Sequence, residues 1–145
     1  MPNDVFISYA REDQDFAHRL TRMLNHEGIS ASADMDLAPG EDWGQHLRQT
    51  LDDADAMVLL VSPDALTNPY VLSEVGAALA SDKPIIPVLP PNRRMPRDVP
   101  QPIGQLQVLR IGKLSDSEIA TRVRGTLKHL ARNPKADVHR PTNLE

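Results

Sequence analysis

The chain has 145 residues, a size suited to one domain with one adequate core, and a net charge of −4 makes no electrostatic case for nucleic acid or an anionic membrane surface. It contains no cysteine, which excludes disulfides, cysteine-ligated zinc and thiol catalysis. Aromatic residues are only 3% of the chain, so the core must be mostly aliphatic and Phe6, Tyr9, Phe16, Trp43 and Tyr70 are each informative. The start is polar and no stretch approaches the roughly 20 apolar residues of a membrane span, so the expectation is a cytoplasmic domain.

Val5-Phe6-Ile7 reads as a first short strand. Phe16, Leu20, Met23 and Leu24 then recur at helical spacing, with Gly28 expected just past the helix end. Ile29 to Ala33 is a weak second strand, and the loop from Leu37 to Trp43 carries Pro39 and Gly40. Leu47, Leu51 and Ala54 mark a second helix. Ala56 to Val61 is apolar throughout, the pattern of a strand covered on both faces. Val71, Leu72, Val75, Ala78 and Leu79 predict a third helix, and Ile85 to Leu89 a fourth strand. Seven of the thirteen prolines fall between Pro84 and Pro102, so a long loop without regular elements is expected after that strand. Leu106 to Ile111 is a fifth strand. Ser115 and Glu118 form a capping-box pattern for a last helix on Ile119, Val123, Leu127 and Leu130. Residues 1–133 then form the domain, and 134–145 a polar tail or linker. The terminal Leu144-Glu145 is open to reading as a vector-derived scar, which would make the chain a domain cut from a longer protein.

Strands alternating with helices imply an α/β domain, and at this size a flavodoxin-like one: a five-stranded parallel sheet, order 2-1-3-4-5, with helices on both faces. Strands 1 and 3 are neighbours in that order. Their C-terminal ends, Ser8-Tyr9-Ala10-Arg11 and Ser62-Pro63-Asp64, should therefore face one crevice.

Several chemistries of such a crevice fail residue by residue. A phosphoacceptor domain needs an acidic pair after strand 1 and an aspartate ending strand 3, where this chain has Ser8-Tyr9 and Ser62. No glycine-rich phosphate cradle occurs, no nucleophile elbow is present, and no histidine follows a strand. No metal is expected: the acids Asp34, Asp36, Glu41 and Asp42 read as a solvated loop. Glu74 remains, four residues after Tyr70 and early in a helix. One reading makes it a solvated carboxylate favoured by the helix dipole. The other notes the small apolar run Val75-Gly76-Ala77-Ala78, which would pack this helix closely on the sheet and leave Glu74 desolvated at a buried rim. A carboxylate there can support an oxocarbenium-like ribosyl transition state.

From Asp4 to Arg132 the chain resembles the TIR (Toll/interleukin-1 receptor) domain family, and in particular its bacterial NAD-cleaving members. DVFISYARED matches the family's first box, SADMDLAPGEDW its acidic strand end and BB loop, and SPDALTNPYVLSE its tryptophan-to-glutamate segment, with Tyr70 where tryptophan is usual. KPIIPVLP and GQLQVLRI look like the fourth and fifth strands.

The resemblance implies an NAD+ glycohydrolase that releases nicotinamide and forms ADP-ribose or a cyclic variant, with Glu74 catalytic and NAD+ a substrate rather than a cofactor. It also implies homotypic assembly with other TIR domains, a fused or partner sensor domain, and a defence or virulence role. Tyr9 and Arg11 would stack on or grip the dinucleotide, Asp34 would match the family's aspartate at the end of strand 2, and Gly40 would sit in the BB loop. Trp43 would close over the site, with Ser62 and Tyr70 completing the substrate-binding set. Three of them have a structural alternative: a solvent-exposed helix start for Arg11, loop hydrogen bonding for Asp34, helix packing for Trp43. Two further functional readings stand beside the first, a non-catalytic TIR module acting through BB-loop contacts and a nucleoside deoxyribosyltransferase-like enzyme.

Overall fold

The apolar runs beginning at Asp4 and Ala56 lie side by side at the centre of one parallel sheet. In the computed structural model, residues 4–33 and 39–132 are described. Strands β1 (Asp4–Ser8), β2 (Ser30–Ser32), β3 (Ala56–Leu60), β4 (Ile85–Leu89) and β5 (Leu109–Arg110) run in the order β2-β1-β3-β4-β5, every pair parallel. Helices α1 (Gln14–His26), α2 (Trp43–Asp53), α3 (Pro69–Ala80) and α4 (Asp116–Arg132) cover the two faces. The expected flavodoxin-like architecture is the observed one.

Strand alternation divides the core in two. Val5 and Ile7 of β1 and Val58 and Leu60 of β3 pack with Phe16, Leu20 and Leu24 of α1 and Ile119, Val123 and Leu127 of α4. Phe6 of β1 and Met57 and Leu59 of β3 turn the other way, onto Leu47 and Leu51 of α2 and Val71, Val75 and Ala78 of α3. β3 is buried along its whole length, which is why its sequence shows no polar alternation.

Helix ends follow the local signals. Gly28 takes φ +85° just beyond α1, and the Ile29 N–H closes onto the Leu24 carbonyl at 2.9 Å, the hydrogen-bonding pattern of a left-handed helix stop. The Ser115 and Glu118 capping box forms in both directions, Glu118 N–H to Ser115 Oγ at 3.1 Å and Ser115 N–H to Glu118 Oε1 at 2.8 Å. At α3, Asn68 Oδ1 accepts from the N–H groups of Tyr70 (2.8 Å) and Val71 (3.1 Å), and Pro69 occupies the first turn, where its missing N–H costs nothing.

One expectation needs correction. The fifth strand is only Leu109–Arg110, because β4 offers partners only at Val88 and Leu89. The proline-rich connection from Pro90 to Pro102 has no helix or strand, as expected, and just past it a 3-10 turn at Ile103–Gln105 docks Ile103 into the α2–α3 core. Among the described residues no helix is long and apolar enough to cross a membrane.

Asn68→Ala should cost about 1 kcal/mol of stability by unpairing two N–H groups at the start of α3. Urea unfolding checks this, with a lower midpoint expected at an unchanged m-value.

Candidate active site

β1 places its side chains by parity. Phe6 faces α2 and α3, so Ser8, two residues on, faces them as well. Ser8 is buried, 1% exposed, and its Oγ donates to Glu74 Oε1 at 2.5 Å. Glu74 sits in the second turn of α3, whose residues Val71, Val75 and Ala78 press into the core. Burial pushes the Glu74 carboxyl up from 4.5 to about 7, against the smaller opposing pull of the Ser8 hydrogen bond. Gly76 does not contribute to this packing: it is exposed, and a Cβ there would meet nothing within 4 Å. The close approach of α3 to the sheet rests on Val75 and Ala78 instead.

A second carboxylate lies across the same end of the sheet. Asp13, in the 3-10 turn Arg11–Asp13 that leads into α1, is 3% exposed. Its Oδ2 accepts from Ser62 Oγ at 2.7 Å and its Oδ1 from Arg93 Nε at 2.6 Å. Arg93 also reaches the Glu12 carbonyl at 2.6 Å, and Ser62 Oγ takes the Ala65 N–H at 3.2 Å. This cluster ties together the connections that follow β1, β3 and β4.

The expected site residues divide accordingly. Trp43, at the start of α2, and Tyr70, at the start of α3, come together edge to face with ring centroids 5.6 Å apart, and Tyr70 is 67% exposed, one helical turn before Glu74. Gly40 takes φ +88°, the left-handed region that favours glycine. Arg11 is exposed at the start of the 3-10 turn. Tyr9 faces the layer opposite to Ser8: it packs with the α1–α4 core and meets His18 edge-on at 6.2 Å. Odd positions of β1 face that layer, and Tyr9 continues their parity. Ser62 does not face an open crevice, being fully buried with its hydroxyl committed to Asp13. Asp34 lies outside the described residues. Sequence reasoning left Ser8, Asp13 and Arg93 off the candidate set. Ser8 was recoverable from strand parity with Phe6, whereas nothing local in the sequence pairs Asp13 with Arg93.

A family model described as the TIR domain matches residues 5–124. The chain belongs to the TIR domain family. Among solved structures, this TIR domain is similar to that of the Toll-related receptor TRR-2 from Hydra magnipapillata, at 22% identity over 94% of this chain and 98% of that one, with a TM-score of 0.63. It is also similar to the TIR domains of the activated Roq1 resistosome recognizing the pathogen effector XopQ, at 22% identity over 62% of this chain and 58% of that one, TM-score 0.52. A Clostridium botulinum CMP N-glycosidase, BcmB, shares the fold at 18% identity over 86% of this chain and 99% of its own, TM-score 0.57. No curated protein matches the chain.

Asp13→Ala should destabilise the TIR domain by about 2–4 kcal/mol, since it unpairs the buried Ser62 hydroxyl and releases the loop that Arg93 holds. Arg93→Ala should cost less, about 1–2 kcal/mol, because the guanidinium is partly in water and screened. Thermal unfolding of both variants checks the order, and equal losses would contradict it.

Proposed function

We propose that this TIR domain is an NAD+ glycohydrolase with Glu74 as its catalytic carboxylate. The observation that carries the reading is a carboxyl group withdrawn from water at the C-terminal end of β1, hydrogen-bonded by Ser8, with its proton affinity raised to about 7 by burial. Nicotinamide in NAD+ is a cationic leaving group and needs no general acid. When the C1′–N bond breaks, its electron pair passes to the ring nitrogen and neutral nicotinamide departs. The ribose becomes oxocarbenium-like, and an ionised Glu74 beside it stabilises the developing positive charge. Water then bonds to C1′, and a carboxylate of raised basicity suits the removal of its proton. Tyr70, exposed one turn before Glu74 and backed edge to face by the half-buried Trp43, offers aromatic surface to a planar base.

Two other readings remain to be separated from this one. A non-catalytic TIR module would leave NAD+ intact. The fold shared with a CMP N-glycosidase makes CMP the second substrate to test, in place of a deoxyribosyltransferase reaction. Incubation of concentrated protein with each compound, products separated by chromatography, distinguishes all three.

Glu74→Gln should lower NAD+ turnover by ~10²-fold or more, because it keeps the shape and removes the charge. In the wild type, turnover should fall about tenfold per pH unit below 7 as Glu74 takes up a proton, and level off above it. Stability should move the other way. The folded carboxyl keeps its proton up to about 7 and the unfolded one only to 4.5, so the folded state binds more protons in that window and loses stability as pH rises through it. Glu74→Gln removes the cost of the buried charge and should be more stable than wild type by about 2 kcal/mol at pH 8, the gap closing near pH 5. An unchanged rate, or a stability gap independent of pH, would remove Glu74 from this role.

The Roq1 TIR domains belong to an activated assembly, which supports assembly as the switch for this chain too. One small rim cannot bury most of a dinucleotide, and a neighbouring TIR domain would supply the other wall. Turnover per molecule should then rise across a hundredfold concentration series, with light scattering rising in parallel. Flat specific activity from a monomer throughout would reject assembly while leaving the catalytic reading in place.

A further inference from the structure

We propose that Ser8 is the positioning residue for Glu74: its hydroxyl, held by the central strand, fixes Oε1 so that the carboxylate is presented to the reacting ribose in one orientation. The inference rests on the glycohydrolase reading above and deepens it.

The core gives no other reason for a hydroxyl at this position. Around Ser8 the same layer holds Phe6, Ala10, Met57, Leu59 and Val61, all apolar and buried. A hydroxyl taken out of water into such surroundings without a partner costs about 1–3 kcal/mol, and an alanine there would cost nothing of the kind. Among the described residues the acceptor of its proton is Glu74 Oε1.

The backbone at Ser8 is also well fixed. It pairs with Leu59 of β3 at the end of the parallel ladder, and the preceding residues of β1 pair with β2 as well. Glu74 is the more mobile partner by construction, a three-torsion side chain on a helix at the rim of the core. Without the hydroxyl, those torsions are free to carry the carboxylate toward solvent. Ser8 therefore contributes orientation and favours the charged form, and it need not touch the substrate.

The test compares wild type, Ser8→Ala and Ser8→Thr in NAD+ turnover, and follows Glu74 directly by NMR titration of carboxyl-labelled glutamate, assigned with Glu74→Gln. Ser8→Ala should lower kcat roughly 10- to 100-fold with KM within about twofold, since the loss falls on orientation and not on binding. Its Glu74 should titrate roughly one unit higher, because the ionised form has lost its donor. Ser8→Thr, which keeps the hydroxyl, should restore both. A role in packing alone would move neither the titration nor the kcat-to-KM split. Unchanged titration and kcat in Ser8→Ala, or a threonine that fails to rescue, would overturn the proposal. If Ser8→Ala does not fold, Ser8→Cys carries the same comparison, with a near-isosteric but weaker donor. A wild-type chain inert toward NAD+ would overturn the glycohydrolase reading and with it Ser8's part in turnover; the titration in Ser8→Ala would still decide whether the bond controls Glu74.

Discussion

Placing β1 between β2 and β3 puts the ends of the two central apolar strands next to each other, and the candidate site depends on that adjacency. A parallel sheet of this order sends its connections away in opposite directions at β1 and β3, which opens the end of the sheet there. The parity of β1 then decides which side chains share which layer. Phe6 and Ser8 face α2 and α3, while Ile7 and Tyr9 face α1 and α4. A one-residue slip of β1 against β3 would exchange the sets, leaving Ser8 without Glu74 and Phe6 outside its core.

The two carboxylates at this end of the sheet, Asp13 buried and Glu74 half-buried, sit in different environments. Asp13 receives a hydroxyl and a guanidinium and joins three connections, so its charge is compensated where it lies. Glu74 receives a single hydroxyl, and no charged neighbour among the described residues contributes to its raised proton affinity. The hydroxyl and guanidinium on Asp13 tie connections together, whereas desolvation of Glu74 raises its proton affinity, the environment that makes it the candidate for chemistry in the reading proposed above.

Most of the fold was legible because it depends on local signals. The apolar run of β3, the period of α1, Gly28 and the Ser115–Glu118 box each act within a few residues, and each appears where the sequence put it. What was missed depends on distant partners. The length of β5 is set by what β4 offers, and the anchoring of Ile103 by the α2–α3 core it packs into. At the candidate site, Glu74, Trp43 and Tyr70 were each named from the resemblance, but not the edge-to-face contact of the two rings, because the family pattern names residues without saying which face each takes. Tyr9 and Ser62 were placed by their nearness in sequence to the crevice, and alternation and burial sent them elsewhere. Ser8 could have been found by counting from Phe6. Arg93 could not, since its pairing with Asp13 needs the full course of the sheet to bring the two together.

The same contrast bears on how the site can open to a substrate. The connections after β1, β3 and β4 are held to one another through Asp13, so movement of any one of them would have to break a hydrogen bond or ion pair to its buried carboxylate. Glu74 stands outside that clasp, joined to the sheet by Ser8 and to the Trp43–Tyr70 edge only through α3 itself. The start of α2 combines an exposed cap at Asp42 and Gly40 in the left-handed region with Trp43, which is half-buried against the α2–α3 core. In the glycohydrolase reading proposed above, a dinucleotide would therefore meet Glu74 held to β1 through Ser8 on one side and, on the other, the Trp43–Tyr70 edge, of which Tyr70 is the exposed member.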